Sequence, residues 1–272
     1  MDSSLHDKVV MITGASGGIG SGLVQAFASE GARIVAHYAK NRERATVLAD
    51  KVGRSRCLAL GADLCREEEV SRLFHQAEES LGPIEILIAN AGIWPAQDVA
   101  IADMPLARWQ ETLDMDLTSA FLCLREFFRG IRRSSLEAPA AVLVGSTAGI
   151  FGEAGHADYA AAKSGLIYGL ARSLKNEIAQ LAPRGRINVV CPGWVRTPMT
   201  EGALADRKQV ERTLQTVPLK KIARIEDVAH AVVYLASERL AGHISGDILT
   251  VAGGMEGRVL YTADELREVE AS

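Results

Sequence analysis

The segment Lys8-Val-Val-Met-Ile-Thr-Gly-Ala-Ser-Gly-Gly-Ile-Gly20 decides which fold the sequence predicts. A short apolar strand leads directly into a turn in which Gly14, Gly18 and Gly20 permit a tight bend and a close approach of the backbone to a ligand. The helix that follows, predicted over residues 19–30, points its free amides and the positive end of its dipole at that turn. The pattern indicates a cradle for a pyrophosphate, with an ordinary Gly-rich turn as the alternative.

Strand-like and helix-like segments alternate over the rest of the chain. Further apolar strands are predicted at residues 33–38, 56–60, 84–89, 141–144, 185–191 and 248–251, and helices at 66–81, 106–133, 226–237 and from 157 onward. Strands that alternate with helices pair in parallel. We therefore expect an α/β fold: a single-domain, Rossmann-like, doubly wound parallel sheet of about seven strands with helices on both faces.

The chain of 272 residues, 48% hydrophobic, can bury a large core. One domain is expected over residues 1–255, followed by a C-terminal tail over 256–272 in which Thr262-Ala-Asp-Glu265 would cap a short helix. The segment 198–218 is polar and flanked by helix breakers, so we expect a mobile substrate lid there.

Composition excludes several classes of function. A net charge of −4 gives no general attraction to nucleic acid or to an anionic membrane. No apolar run is long enough to span a bilayer, and the first residues lack a signal-peptide pattern, so a cytoplasmic protein is expected. The four cysteines form no Cys-x-x-Cys pair and the histidines no His-x-x-x-His pair, so we expect free thiols and no metal site.

A second segment carries the candidate chemistry. Ser146 follows a buried strand, and Tyr159 and Lys163 lie four residues apart on a predicted helix, so the phenol and the ammonium share one face. A cation about 4 Å from a phenol stabilises the phenolate by up to about 4 kcal/mol, which lowers the phenol pKa toward neutrality. Tyr159 would then serve as a general acid or base, and Ser146 would hydrogen-bond a substrate oxygen. Taken alone, such a pair is common by chance on helix surfaces.

The residues after the second strand bear on the choice of nicotinamide cofactor. An NAD enzyme usually places a carboxylate here, on the ribose hydroxyls. This chain instead has His37-Tyr38-Ala39-Lys40-Asn41-Arg42, whose cations would attract a 2′-phosphate. NADP is therefore favoured over NAD, the alternative being that these cations form only the solvated start of a helix.

Four motifs together resemble the short-chain dehydrogenase/reductase family over residues 8–255. They are Thr-Gly-x-x-x-Gly-x-Gly at 13–20, Asn90-Ala-Gly92, Ser146, and Tyr159-x-x-x-Lys163, with the serine at the family's usual spacing from the tyrosine. The segment from Gly155 to Lys163 is most similar to 3-oxoacyl-[acyl-carrier-protein] reductases. The resemblance implies an NAD(P)-dependent enzyme acting on a carbonyl or a secondary alcohol.

The resemblance also implies roles for individual residues. Tyr159 would exchange a proton with the substrate, Lys163 would lower the pKa of Tyr159 and bind the nicotinamide ribose, and Ser146 would hold the substrate oxygen, while the cofactor carries the hydride. The expected cofactor contacts are Gly14, Ser16, Gly17, Gly18, Ile19, Gly20, Tyr38, Lys40, Asp63, Leu64, Asn90, Ala91, Gly92, Tyr159, Lys163, Pro192, Gly193, Val195 and Thr197.

One catalytic position departs from the family's pattern. Where members usually carry an Asn thought to hold a water linked to the lysine, this chain has Asp116. A carboxylate there would still hold a water, but it would also pair with Lys163 and weaken the effect of the lysine on Tyr159. The alternative is that Asp116 only caps a break in the helix.

The substrate and the partners are less well specified. Trp94 and Trp194 fall at loop positions that in this family line the substrate pocket, which suggests a largely apolar pocket, with simple packing of the loops onto the core as the equal alternative. A 3-oxoacyl thioester or related ketone is the first expectation; a sugar, polyol, steroid or other secondary alcohol, or a non-catalytic nucleotide-binding role, are the alternatives. Four arginines on one face of the helix at 106–133 suggest either ordinary helix-end charges or a docking patch for an acyl carrier protein: Arg125, Arg129, Arg132 and Arg133. Family members are commonly homotetramers.

Overall fold

The computed structural model describes residues 2–260 and 262, and a seven-stranded parallel sheet forms its centre. The strand order is β3-β2-β1-β4-β5-β6-β7, so successive strands run outward from β1 in one direction and from β4 in the other. The strands are β1 Val9–Ile12, β2 Arg33–Tyr38, β3 Cys57–Gly61, β4 Ile86–Ala89, β5 Ala140–Val144, β6 Arg186–Pro192 and β7 Ile248–Val251.

Helices connect the strands and cover both faces of the sheet. They are α1 Gly18–Ser29, α2 Arg42–Val52, α3 Glu67–Leu81, α4 Leu106–Leu113, α5 Ser119–Arg133, α6 Ala148–Phe151, α7 Ala157–Ser164, α8 Ala171–Leu181, α9 Glu201–Ala205, α10 Arg207–Leu214, α11 Ile225–Ala236 and α12 Glu238–Ala241. A 3₁₀ turn spans Ile101–Asp103, and π-helical turns span Asp114–Thr118 and Gly165–Leu170.

Alternate residues of the buried strands feed two separate cores. In β1, Val9 and Met11 pack into a core with α3, α5 and α8, whereas Val10 and Ile12 pack into a core with α1 and α11 on the opposite face. This follows from the two-residue period of a strand, and it explains why these strands are continuously apolar. The predicted doubly wound sheet with helices on both faces is confirmed.

The sheet topology creates the crevice in which the candidate site lies. Connections leave β1 and β4 in opposite directions, and these two strands are neighbours in the sheet. In open parallel sheets, ligands bind outside the carboxyl ends of the strands at such a switch point.

The structure differs from the prediction mainly in its helices. The helix predicted over 106–133 is interrupted by the π turn at Asp114–Thr118, where one wide turn changes which side chains face inward. The Gly-rich stretch after Ser146 contains α6, and the predicted lid contains α9 and α10. The predicted cap at 262–265 lies outside the described residues.

Membrane-spanning helices and metal-binding clusters are both absent from the described part of the chain. None of its helices has both the length and the apolar character needed to cross a membrane. Residues 2–260 and 262 also contain no cluster of three His, Cys, Asp or Glu side chains that could hold a metal ion.

Candidate active site

A cavity of about 460 Å³ opens at the carboxyl ends of the strands. Every residue that the sequence singled out for catalysis, cofactor or substrate lines this cavity except Tyr38. At one end lies the Gly14–Gly20 turn, and at the other lie Ser146, Tyr159 and the two indoles of Trp94 and Trp194. The cavity therefore joins the predicted phosphate cradle to the predicted proton-transfer residues.

The glycine turn is shaped so closely that side chains are excluded. A Cβ on Gly20 would lie 2.1 Å from the carbonyl oxygen of Gly14, and a Cβ on Gly18 would lie 2.6 Å from Cβ of Thr197. Helix α1 starts immediately after Gly17 and has no side-chain cap, so its first amides stay available to a ligand. A cradle of bare amides at a helix start fits the pyrophosphate of a dinucleotide.

His37, which the sequence analysis did not single out as a ligand-site residue, anchors this turn from the end of β2. Its Nδ1 accepts a hydrogen bond from the Gly14 amide at 3.1 Å, and its Nε2 donates to the carbonyl oxygen of Ala62 at 3.0 Å. Burial lowers the pKa of His37, so the neutral ring with the proton on Nε2 is the form that fits both partners. The only sequence signal was a polar side chain within an otherwise apolar strand.

Thr13 and Asn90 tie the turn to the end of β4. The Thr13 hydroxyl accepts hydrogen bonds from the amides of Asn90 and Ala91 at 2.9 and 3.0 Å. The Asn90 side-chain amide donates to the carbonyl oxygen of Thr13 at 2.9 Å. These contacts fix the two loops that flank the switch point.

The end of β2 determines what would meet the adenosine ribose. Ala39, Lys40 and Asn41 line the cavity and offer no carboxylate, and Lys40 is exposed. Tyr38, predicted as a cofactor contact, instead lies over Gly61, where an added Cβ would come 2.8 Å from the phenol ring. Its side chain packs on the neighbouring strand rather than into the cavity.

Three candidate catalytic side chains meet above β5. The ammonium Nζ of Lys163 lies 5.5 Å from the centre of the Tyr159 ring and donates to the carbonyl oxygen of Val144 at 3.4 Å. The Ser146 hydroxyl lines the same cavity as Tyr159 and acts to lower the pKa of the phenol, and its oxygen accepts a hydrogen bond from the Ala148 amide at 3.2 Å. Helix α7 places Tyr159 and Lys163 on one face, as the four-residue spacing predicted.

Asp116 joins this cluster because the π turn points its side chain inward. Its Oδ1 lies 3.2 Å from Nζ of Lys163 and accepts a hydrogen bond from the Ile93 amide, also at 3.2 Å. The side chain is fully buried, and Oδ2 has no partner within the described structure. A Cβ on Gly92 would lie 2.2 Å from Oδ1, so this glycine leaves the room that the ion pair occupies.

The electrostatics differ from the expectation for Tyr159. Burial raises the pKa of Tyr159 and outweighs the lowering by Lys163, while Asp116 raises it further. Burial likewise raises the pKa of Asp116 against the opposing charge of Lys163. For Lys163, burial lowers the pKa, but the charge and hydrogen bond of Asp116 together with Tyr159 and Cys191 outweigh it, so the net pKa is raised and the ammonium is retained. The predicted lowering of the Tyr159 pKa is therefore wrong, because the ring is enclosed and the lysine shares its charge with a carboxylate.

An aromatic wall flanks the catalytic tyrosine. The Trp94 ring stacks on His156 at 4.0 Å, meets Tyr159 edge to face at 4.8 Å, and lies 6.4 Å from the Trp194 ring. Glu153 lines the same cavity and is half-buried, and burial raises the pKa of its carboxyl group. The substrate end of the cavity is thus apolar with one carboxyl group at its edge.

A buried ion pair supports the helix that carries Tyr159. Asp158 is fully buried, and its Oδ2 accepts hydrogen bonds from Arg108 at 2.9 Å and from Thr112 at 2.8 Å. Arg108 also donates to the carbonyl oxygens of Gln97 and Gly155, which lie in the loops on either side of the aromatic wall. Although burial raises the pKa of Asp158, these bonds outweigh it and the net pKa is lowered.

The structure supports the alternative that the arginines on α5 are ordinary charges near a helix end. Arg125 pairs with Glu67, Arg129 with Glu126, and Arg133 with Glu78. Most of the charge that a docking patch would need is thus already balanced within the chain.

The four cysteines are free thiols, as expected. Cys57, Cys123 and Cys191 are buried, whereas Cys65 is half-buried and lines the cavity beside Asp63 and Leu64. Burial raises the pKa of the Cys65 thiol to about 11.

Comparison with known proteins identifies relatives over nearly the whole chain. The family model described as "Enoyl-(Acyl carrier protein) reductase" matches residues 14–256. The chain is 33% identical over 256 residues to the 3-oxoacyl-[acyl-carrier-protein] reductase of Synechocystis sp., covering 93% of this chain and 98% of the relative. It is 34% identical over 254 residues to the corresponding reductase of Vibrio cholerae, covering 93% of this chain and 98% of that protein.

A solved structure agrees with these sequence matches. The short-chain dehydrogenase/reductase of Brucella melitensis whose title reads glucose/ribitol dehydrogenase superposes with a TM-score of 0.84 at 27% sequence identity. The alignment covers 96% of this chain and 100% of that structure.

Proposed function

Since the chain belongs to the short-chain dehydrogenase/reductase family of oxidoreductases acting on carbonyl or alcohol groups, we propose that it is an NADPH-dependent reductase of 3-oxoacyl thioesters or closely related ketones. The observation that carries this proposal is one cavity that joins the Gly14–Gly20 cradle to Ser146, Tyr159 and Lys163. The 3-oxoacyl-[acyl-carrier-protein] reductases among the relatives support this substrate class.

The residues of the chain account for the proton half of the reaction. The Ser146 hydroxyl would donate a hydrogen bond to the substrate carbonyl and orient it toward the Tyr159 hydroxyl. The bound nicotinamide would supply a hydride to the carbonyl carbon, and the oxygen would take its proton from Tyr159. Because the pKa of Tyr159 is raised, the phenol is protonated at neutral pH, which is the form that reduction requires.

The cofactor preference rests on the residues after β2. Lys40 lies at the cavity edge where an NAD enzyme would carry an acid, and an ammonium there would attract the 2′-phosphate of NADPH. Replacing Lys40 with Ala should therefore raise the KM for NADPH and leave the KM for NADH unchanged. A preference of the wild-type enzyme for NADH by more than about tenfold would overturn this assignment.

The test of the substrate class is a panel of 3-oxoacyl thioesters, simple ketones and secondary alcohols, assayed with NADPH and NADH in parallel. Tyr159→Phe keeps the ring but removes the proton donor, so turnover should be lost while NADPH still binds. Full turnover by this variant would show that Tyr159 is not the acid. A chain that binds the cofactor and turns over no member of the panel would instead be a nucleotide-binding regulator.

A second candidate is a dehydrogenase of sugars, polyols, steroids or other secondary alcohols. Glu153 favours a hydroxyl-bearing member of this class, since a half-buried carboxylate in the same cavity as Trp94 and Trp194 suits hydroxyl donors that also stack on aromatic rings. Glu153→Gln should weaken the binding of polyols and leave thioester reduction unchanged. Faster oxidation of polyols than reduction of thioesters in the panel would favour this candidate.

We further propose a cytoplasmic homotetramer that takes its acyl substrates free or on an acyl carrier protein. Phe121 on α5 and Tyr168 in the π turn before α8 are 42% and 46% exposed, which suits subunit contacts along these helices. Sedimentation equilibrium of the wild type and of Phe121→Glu tests this arrangement, because a charge there should dissociate the assembly.

A further inference from the structure

A second cavity, of about 360 Å³, lies directly behind the active site. The segment that follows α10 forms one wall, and the end of β7 with the residues after it forms the other. Its apolar lining consists mainly of Trp194, Val217, Leu219, Ile222, Val251 and Met255. A cavity of this size is large enough to hold part of a small molecule.

Trp194 is the wall that the second cavity shares with the active site. This indole lines both cavities. Its ring lies 6.4 Å from that of Trp94, which in turn lies 4.8 Å from the Tyr159 ring. A tail that extends from a carbonyl at Tyr159 into the second cavity would therefore have to pass the Trp194 ring.

Two of the polar groups in the second cavity are already engaged by the backbone. The Thr213 hydroxyl donates to the carbonyl oxygen of Gln209 at 2.9 Å, and a carboxylate oxygen of Asp227 accepts from the Arg224 amide at 2.8 Å. The other two polar side chains of the lining, Lys221 and Thr250, are exposed to solvent. What the walls chiefly offer to a ligand is therefore apolar contact area, and apolar contact area selects alkyl chains.

We propose that the second cavity binds the alkyl tail of the substrate, the part of a 3-oxoacyl chain beyond its C3 carbonyl. This assignment rests on the proposed function, which places that carbonyl at Ser146 and Tyr159. The thioester end then leaves through the open side of the active-site cavity, and Trp194 separates the reacting carbonyl from the tail. The protein is thus selective for substrates with medium or long acyl groups over those with the shortest ones.

Chain-length kinetics test the proposal with variants that fill the cavity from opposite walls. Thr250 and Leu219 both line it, and both side chains are exposed, so Thr250→Phe and Leu219→Trp should reduce its volume with little effect on the core. Leu219→Met and Thr250→Val are matched controls that nearly conserve volume, although Thr250→Val also removes an exposed hydroxyl. Circular dichroism verifies that each variant is folded. Because the two positions lie on opposite walls, one folded filling variant is sufficient to test the proposal.

In the wild type and in both controls, kcat/KM for 3-oxoacyl N-acetylcysteamine thioesters should rise about fourfold per added methylene until the cavity is full. In the filling variants this rise should disappear, while the value for the shortest substrate stays unchanged. An equal rise in the filling variants would overturn the proposal.

A binding measurement separates failure of this proposal from failure of the proposed function. Titration with 1-decanol, which has no carbonyl to reduce, should show binding to the wild type and controls and at least tenfold weaker binding to the filling variants. If no thioester is reduced, the proposed function fails, and the decanol titration alone then tests whether the second cavity binds an alkyl chain. Absence of decanol binding to the wild type, or equal binding to the filling variants, would refute the assignment of the second cavity.

Discussion

Replacing Asp116 with Asn should move the pH dependence of the reaction without removing activity. The ammonium of Lys163 lies 5.5 Å from the Tyr159 ring centre, and at an effective dielectric of about 20 it would stabilise a phenolate by about 3 kcal/mol, or about 2 pKa units. Asp116, at 3.2 Å from the ammonium, cancels much of that effect. The amide of Asn keeps a hydrogen-bond acceptor but removes the charge, so the pKa of Tyr159 should fall by about 1 to 2 units.

The fall in the pKa of Tyr159 can be measured in both the reduction and the oxidation reaction. Reduction needs the phenol, so the alkaline limb of kcat/KM for reduction should move to lower pH in Asp116→Asn. Oxidation needs the phenolate, so its acid limb should move the same way and oxidation at neutral pH should become faster. Because the raised pKa of Tyr159 puts the wild-type limbs above about pH 10, profiles measured up to about pH 11 with NADPH and with NADP⁺ should show the limbs within the range only in the variant.

A neighbouring acid provides the matched control. Asp114 lies in the same π turn but is exposed and bonded to Thr118, so Asp114→Asn should leave both profiles unchanged. A loss of kcat beyond about a hundredfold in Asp116→Asn would show that the carboxylate has a catalytic task of its own. Unmoved limbs in a folded, active variant would refute the electrostatic reasoning.

Three further predictions concern the parts that support the site. Because the pKa of buried His37 is lowered, the free energy of unfolding should decrease as the pH falls below about 6.5, as measured by urea titration. His37→Gln should show no such decrease, because its side-chain amide does not titrate and can bond both the Gly14 amide and the Ala62 carbonyl. Arg108→Met leaves the carboxylate of Asp158 buried without its cation, so urea unfolding at pH 7 should show a loss of about 3–5 kcal/mol. Burial then raises the pKa of that carboxyl in the variant, so the loss should begin to shrink above about pH 4 as the pH falls and the carboxyl becomes protonated; equal stability at pH 7 would contradict this account. In Gly20→Ala the new Cβ would lie 2.1 Å from the carbonyl oxygen of Gly14, so calorimetry should show NADPH affinity reduced at least tenfold, whereas unchanged affinity would mean that the turn adapts.

The sequence predicted the sheet and most of the cavity because both depend on local patterns. Strands that are continuously apolar, the Gly14–Gly20 turn and the four-residue spacing of Tyr159 and Lys163 are readable without tertiary information. Breaks in the helices were less visible, since nothing in the residues around Asp116 distinguishes a π turn from an α turn.

Features that depend on non-local contacts were missed. The role of His37 follows from its meeting the Gly14 amide, and Tyr38 was assigned to the cavity although it packs on Gly61 of the next strand. The raised pKa of Tyr159 results from enclosure by several elements, which no spacing rule reports. The second cavity behind Trp194 likewise arises only when β7 and the segment after α10 come together.

The position of Cys65 makes the protein accessible to chemical labelling at one informative place. Cys57, Cys123 and Cys191 are buried and Cys65 is half-buried at the cavity, so an alkylating reagent should reach Cys65 first. Burial also raises the pKa of the other three thiols, to about 11 or 12. With a pKa of about 11 the thiolate fraction at pH 8 is about one in a thousand, so the reaction should be slow. Because Cys65 faces the cavity, a bound dinucleotide would shield it, and the rate of iodoacetamide modification would report cofactor occupancy without any turnover.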